Sequence, residues 1–228
     1  MNMELFLCLL LAHLVADFVL QTREICKEKA ERKWKSPQHY IHSFVVFGLS
    51  WAVTFDWEFW WCALIIGVLH FGIDIWKSYH DEKVTWFTID QILHITVLAC
   101  VASLWNSQHK WTCPPYMNIR YVSFCIATLL CWKPANIFIK LMLKYHSVNM
   151  PNERESIFNA GALIGTLERW LILIFVCMQR YEAIGLLIAA KSIIRFSEKD
   201  TTKTEYVLAG TLLSIFIAVL SGIILMIV

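Results

Sequence analysis

Three histidine–aspartate pairs are the residues of this sequence best suited to chemistry, because the partners in each pair stand four positions apart. They are His13 with Asp17, His70 with Asp74, and Asp90 with His94. Four residues make about one turn of an α-helix, so both side chains of a pair would project from one helix face. Imidazole nitrogen and carboxylate oxygen are common ligands of zinc, manganese and iron. The spacing therefore predicts three helices whose faces converge on a divalent metal.

The segments that carry these pairs are apolar enough to cross a membrane. Of the 228 residues, 58% are hydrophobic and only 17% are charged. Lipid offers no partner for backbone polar groups, so a window of about 20 apolar residues spans a bilayer as a helix. The sequence predicts an all-α, polytopic transmembrane helix bundle of about eight spans: Met3–Leu20, His39–Phe55, Trp57–Trp76, Trp86–Leu104, Ile119–Leu143, Phe158–Met178, Ala183–Phe196 and Tyr206–Val228.

Basic residues in the loops predict how the spans are oriented. They crowd the first loop, and the third, fifth and seventh loops carry more of them than the loops between. Because positively charged loops tend to stay in the cytoplasm, both termini are predicted outside. This orientation places His42 and all three pairs near the cytoplasmic boundary. The reversed order of the pair in span four is what an antiparallel helix needs to present the same groups at that depth.

Buried charge in a membrane is costly, so such residues usually mark a site. Seven metal ligands are predicted, which is more than one ion needs, so some would orient other ligands or bind a second metal. Asp17 and Asp90 are also candidate catalytic carboxylates, and Gln21 is placed to orient water or substrate. The alternative is that the pairs only hydrogen-bond helix to helix. The predicted ligands are His13, Asp17, His42, His70, Asp74, Asp90 and His94.

A second polar group is predicted in spans six and seven. Glu168 and Arg169 fall inside span six, and Lys191 and Arg195 lie in span seven. With Lys77 at the end of span three, they are candidates to bind a phosphate or lipid headgroup. The structural alternative pairs Lys191 with Glu168.

Small residues and one proline predict details of packing in the second half. Gly161 and Gly165 are four apart, as are Gly185 and Ala189, which favours close packing of spans six and seven. Pro134 predicts a kink in span five.

Composition also excludes some classes of function and organisation. The net charge of +2 comes from residues that topology already explains, so no nucleic-acid partner is expected. The eight cysteines are scattered and form neither a disulfide framework nor a zinc-finger spacing. Two four-helix halves are predicted, 1–105 and 106–228, either as separate domains or as one. The expected partners are membrane lipid and a divalent metal, and the sequence is compatible with an oligomer.

Several motifs resemble an uncharacterised family of bacterial integral membrane proteins known only as a domain of unknown function. This resemblance implies a multi-pass protein of the bacterial inner membrane and no particular activity. The segments Asn159–Arg169 and Ala190–Phe196 are similar to that family's C-terminal half. The motifs in the first half are His13–Gln21, Trp34–Ser36, His42–Ser43, His70–Asp74 with Lys77, and Asp90–His94.

Three functions fit these observations. A metal-dependent hydrolase of a lipid or phosphoester would use the cluster from the cytoplasmic headgroup layer, and His39, His42 and Ser43 are loosely similar to a motif of membrane-bound metal-dependent hydrolases. A transporter or channel for divalent cations or protons would need a polar path to the outer face, where spans one to four carry almost no charge. A non-catalytic membrane partner or effector would use the cluster only to hold its fold.

Overall fold

The helices of the protein follow directly from its apolar windows. The computed structural model describes residues 2–109, 111–114, 117–146, 155–195 and 201–227, without the side chains of 106–108, 155–160, 194–195, 201–206 and 227. Every regular element in this part of the chain is helical. The α-helices are α1 Met3–Leu14, α2 Arg23–Arg32, α3 Pro37–Ala52, α4 Trp60–Ser78, α5 Val84–Gln108, α6 Ile119–Leu130, α7 Lys133–Tyr145, α8 Glu155–Cys177, α9 Tyr181–Arg195 and α10 Thr201–Ile227.

Five stretches of the described residues are long and apolar enough to cross a membrane. They match predicted spans one, three, four, five and eight, so the chain has the character of a helical membrane protein. Eight spans, and termini on the outside, stay predictions. The five stretches are Met3–Leu20, Trp57–Ser78, Val84–Trp105, Ile119–Tyr145 and Val207–Met226.

The other three predicted spans are either shorter than these five or only partly described. Helices α3 and α9 have 16 and 15 residues, which is short for a helix that crosses a bilayer. Helix α8 has 23 residues, but its side chains are described only from residue 161 onwards. The predicted span ends at Phe196 and Val228 lie outside the described residues, as do the side chains of Phe158 and Tyr206.

The chain divides into two compact units, Met1–Ile126 and Ala127–Val228. They are called unit 1 and unit 2 below. The predicted halves, 1–105 and 106–228, stay a prediction as domains, because compactness alone does not show that either half folds by itself.

Unit 1 is built around four helices that pack in a closed ring. Helix α3 packs on α4, α4 on α5, α5 on α1, and α1 on α3. Gly67 lets α3 and α4 approach closely, because a Cβ at this position would lie 3.1 Å from Phe47 Cβ and 3.3 Å from the Ser43 carbonyl oxygen. The ring therefore points one face of each helix at a shared interior, whose buried apolar residues include Leu5, Leu9, Ala12, Val46, Ile66 and Leu98.

Two irregular segments of unit 1 set the position of polar side chains. Helix α1 continues as a π-helical segment, Val15–Leu20, in which each turn is wider than an α-helical turn. Helix α2 lies outside the candidate spans and begins after Thr22, whose hydroxyl accepts a hydrogen bond from the Ile25 N–H. Helix α3 then begins after Ser36, whose hydroxyl oxygen accepts from the Gln38 N–H. These caps fix where α2 and α3 begin.

Unit 2 has its own core, in which α8 packs closely on α10. A Cβ at Gly222 on α10 would lie 2.7 Å from Val176 Cγ1 on α8. A Cβ at Gly161 or Gly185 would meet no described atom within 4 Å. The prediction that these glycines pack spans six and seven together was therefore wrong. The buried core residues here include Cys131, Ile172, Val176, Ile184 and Ala218.

Span five is broken where the proline predicted a kink. Helix α6 ends at Leu130, and α7 begins at Lys133 with Pro134 in its first turn. Proline has no N–H to donate to the preceding turn, so one continuous helix is not favoured here. The backbone carbonyl of Cys131, which lies at the break, accepts a hydrogen bond from Arg169 Nε at 2.6 Å.

Candidate metal centre

The ring of four helices in unit 1 brings three ligand atoms from three helical segments together. Asp17 lies in the π-helical segment, His42 on α3 and His70 on α4. Asp17 Oδ1 lies 3.2 Å from His42 Nε2 and 3.5 Å from His70 Nε2, and the two nitrogens are 3.0 Å apart. We call Asp17, His42 and His70 the first triad. The group has the composition of a site for zinc, manganese or iron.

A second set of three ligands lies on α4 and α5. His94 Nε2 is 3.7 Å from Asp74 Oδ1 and 3.4 Å from Asp90 Oδ1. We call Asp74, Asp90 and His94 the second triad. Asp74 lies next to both groups, since its Oδ2 atom is 3.8 Å from His70 Nε2 and 3.9 Å from His42 Nε2. The two triads therefore form one continuous cluster.

His13 completes the cluster on α1. Its Nδ1 atom lies 3.6 Å from Asp17 Oδ1, and its ring centroid lies 5.0 Å from that of His94. A cavity of about 10 Å³ is lined by His13, His70 and His94 together with apolar side chains. A space of this size is at the lower limit for one water molecule. His13 thus faces the same small space as members of both triads.

Several polar atoms of the cluster are buried and make no hydrogen bond with one another. His13 Nε2, Asp17 Oδ1, Asp90 Oδ1 and His94 Nε2 have no hydrogen-bond partner among the described residues. Their neighbours lie at the distances given above, but the geometry does not make hydrogen bonds. Buried polar groups are rarely left unpaired, so such atoms call for a bound ion or water. The donor set therefore fits a metal on grounds of chemistry as well as spacing.

Two lysines neutralise carboxylates of the second triad. Lys29, on α2, donates to Asp74 Oδ2. Lys77, at the end of α4, donates to Asp90 Oδ2 at 2.5 Å, and Gln91 Nε2 donates to the same oxygen at 3.1 Å. Both lysines thus use the Oδ2 atoms, and the Oδ1 atoms remain turned toward His94.

All seven predicted ligands are brought into this cluster, while their role as ligands stays a prediction. Gln21, a predicted catalytic residue, is engaged elsewhere, because its Oε1 atom accepts from Cys26 Sγ at 3.2 Å. Asp17 and Asp90 lie in the cluster as predicted. Ser43, from the hydrolase-like motif, uses its hydroxyl to donate to the His39 carbonyl oxygen at 2.9 Å.

The polar residues of unit 2 form two separate arrangements. Lys191 pairs with Glu168 at 2.5 Å, as the structural alternative predicted. Arg169 is buried and donates to Ser214 Oγ at 2.8 Å and to Asn136 Oδ1 at 2.6 Å. These neutral acceptors occupy its guanidinium, and a headgroup role stays a prediction. The side chain of Arg195 lies outside the described residues.

Sequence reasoning missed Lys29, which it counted only among the basic residues that set topology. One local signal was available. Ile25 stands one turn before Lys29 on the otherwise polar α2, so the two share the face that can turn toward the bundle. The π-helical segment around Asp17 was also missed, and neither glycine nor proline marks it in the sequence.

Comparison with known proteins gives a family and no activity. No curated protein and no solved structure matches the chain. The hydrolase resemblance of His39, His42 and Ser43 therefore stays a prediction. One family model matches residues 5–119, which is half of the chain and includes every member of the cluster. The segments Asn159–Arg169 and Ala190–Phe196 lie outside the matched residues, and their similarity to the family stays a prediction. The resemblance to an uncharacterised family is thereby confirmed for the motifs of the first half, and the chain belongs to the family described as protein of unknown function, DUF3307.

Proposed function

We propose that unit 1 is a metal-dependent hydrolase that cleaves a phosphate ester of a membrane lipid at the cytoplasmic face of the bacterial inner membrane. The first triad supports this proposal most directly, because its ligand atoms lie 3.0 to 3.5 Å from one another. Ligands about 2.1 Å from one tetrahedral zinc ion are about 3.4 Å apart. Three protein ligands with an open fourth position are typical of catalytic rather than structural zinc sites.

The residues around the first triad suit hydrolysis. A divalent ion there would supply Lewis acidity and lower the pKa of a water molecule toward neutrality. Asp74 is the neighbouring carboxylate and would orient that water by accepting a hydrogen bond from it. The water would lose one proton to solvent, and its oxygen would form a bond to phosphorus. The bond from phosphorus to the alcohol oxygen would break, and the alcohol would leave with a proton taken up from solvent.

The charges at the edge of the cluster favour a phosphate ester as substrate. The side chain of Lys77 is 38% exposed, so it connects the buried carboxylates to the surface. A lysine ammonium is a common phosphate-binding group. Exposed Trp34, Tyr79 and Arg32 line a groove on the surface of the same unit, which suits contact with anionic lipid headgroups.

Transport of an ion would require the polar cluster to continue through the bundle. Beyond the three histidines, the described lining of the central cavity is Val46, Ile66, Val97 and Leu98. This apolar lining supports an enzyme over a transporter.

The test uses the full chain, purified in detergent and reconstituted into vesicles of phosphatidylglycerol and phosphatidylethanolamine. We expect bound zinc, manganese or iron and metal-dependent release of a headgroup or phosphate, lost in Asp17→Asn and His70→Gln. His80→Gln is the matched control, since His80 lies outside the cluster, where it contacts the Trp76 carbonyl and the rings of Trp76 and Trp86. Bound metal with ion flux and no lipid turnover would contradict the hydrolase, as would bound metal with neither activity. A protein that binds no metal would contradict the whole proposal.

A further inference from the structure

The second triad has unpaired ligand atoms of its own. Asp90 and His94 are only 1% and 3% exposed, yet Asp90 Oδ1 and His94 Nε2 have no hydrogen-bond partner among the described residues. These two atoms face each other at 3.4 Å, and Asp74 Oδ1 lies 3.7 Å from the same nitrogen. A cation between the three atoms would satisfy all of them at once.

The lysines orient the carboxylates of the second triad without bonding the Oδ1 atoms that face His94. Lys29 and Lys77 bond the Oδ2 atoms of Asp74 and Asp90, and Gln91 also bonds Oδ2 of Asp90. Hydrogen bonds of this kind orient a ligating carboxylate, and each of its oxygens keeps a lone pair for a metal. The Oδ1 atoms are the ones turned toward His94. The second triad therefore has both a set of ligands and the residues that fix their orientation.

Asp74 connects the second triad to the first. Its Oδ1 atom faces His94, whereas its Oδ2 atom faces His42 and His70 at 3.9 and 3.8 Å. A carboxylate that presents one oxygen to each of two ligand groups is placed to bridge two ions. Ions in two-metal hydrolytic centres are about 3.5 to 4 Å apart.

The charge of the cluster is compatible with bound cations. Asp17, Asp74 and Asp90 supply three carboxylates, and Lys29 and Lys77 supply two ammonium groups. Histidines bind a metal as neutral imidazole, so these protein groups would carry one net negative charge around bound ions. Divalent ions would make the site positive, which would attract an anionic phosphate ester.

We propose that the cluster is a dinuclear centre, in which a second divalent metal binds Asp74, Asp90 and His94 and shares Asp74 with the metal of the first triad. This inference rests on the proposed function for the first metal. Two carboxylates and one imidazole favour manganese, iron or zinc over a metal ion that prefers thiolate ligands. Two ions would hold the attacking and the leaving oxygen of a phosphate ester at the same time.

Manganese binding to the tag-free full chain in detergent tests the proposal. We expect about two equivalents of manganese per chain by mass spectrometry, and an electron paramagnetic resonance spectrum of two exchange-coupled ions. His94→Gln should reduce binding to about one equivalent and convert the spectrum to that of an isolated ion. His80→Gln should retain two coupled ions.

The outcomes separate this inference from the proposed function. One isolated manganese in the unsubstituted protein would overturn the second site and leave the first intact. No bound metal would overturn both. Two ions that stay coupled in His94→Gln would show that the second ion does not bind the second triad. Even if His94→Gln does not fold, the spectrum of the unsubstituted protein decides between one ion and two.

Discussion

The ammonium group of Lys29 bonds Oδ2 of Asp74, which joins a helix outside the candidate spans to the metal-ligand cluster on α4. Both side chains are about nine-tenths buried. A buried ion pair of this kind holds α2 against the ring of four helices. Lys29 on α2 therefore balances part of the negative charge of the candidate metal centre.

Replacing Lys29 tests this connection. Lys29→Met leaves the Asp74 carboxylate buried without its cation, which we expect to destabilise the metal-free protein by about 3 to 5 kcal/mol. Zinc should raise the melting temperature of the variant more than that of the unsubstituted protein, because the ion supplies the missing positive charge. Thermal unfolding in detergent, with chelator and with zinc, measures both effects.

Lys27 provides the control on the same helix. Its side chain is 79% exposed and its pair with Glu31 spans 3.8 Å. Exposed pairs contribute about 1 kcal/mol or less, so Lys27→Met should melt almost as the unsubstituted protein does. Equal melting temperatures for the two variants would contradict a structural role for the Lys29 pair.

Arg169 is expected to stabilise unit 2 without affecting the metal centre. Arg169→Met leaves acceptors on Cys131, Asn136 and Ser214 without their donor, at a cost of about 1 to 3 kcal/mol for each group left unpaired. We expect a lower melting temperature with unchanged metal content. The exposed Arg180→Met is the comparison. An Arg169→Met protein of normal stability that loses lipid binding would instead support the headgroup role.

Gly222 should be the glycine of unit 2 least tolerant of a side chain. A methyl group there would lie 2.7 Å from Val176 Cγ1, and overpacking of this kind costs about 1 to 3 kcal/mol. Gly222→Ala should therefore melt at a lower temperature than Gly185→Ala, where a Cβ meets no described atom within 4 Å. Equal stability of the two variants would show that α8 and α10 do not pack as closely as described.

The convergence of the seven polar residues was predictable because helical periodicity fixes which side chains share a face. A spacing of four placed each pair on one face, and the reversed order of Asp90 and His94 matched an antiparallel helix. The break at Pro134 was predictable for an equally local reason. The shared face of each pair and the break at Pro134 are both decided within one or two turns of one helix.

The remaining features depend on contacts between elements that are distant in sequence. Lys29 reaches Asp74 across 45 positions, and the apolar Ile25 one turn before it is the one local sign that this face of α2 turns inward. Arg169 is satisfied by neutral acceptors on other elements, whereas the sequence suggested only a phosphate or lipid headgroup as its partner. Gly161 and Gly165 have the spacing of a packing motif, but only the tertiary fold decides that Gly222 makes the close contact.

X-ray absorption at the zinc edge of the tag-free, zinc-loaded protein tests the central claim that this cluster is a metal centre. We expect zinc to survive dialysis, with nitrogen and oxygen ligands at about 2.0 to 2.1 Å and the multiple-scattering signature of imidazole. His42→Gln should weaken that signature, and His80→Gln should leave it unchanged. Zinc that is lost on dialysis, or a spectrum without imidazole, would contradict the claim.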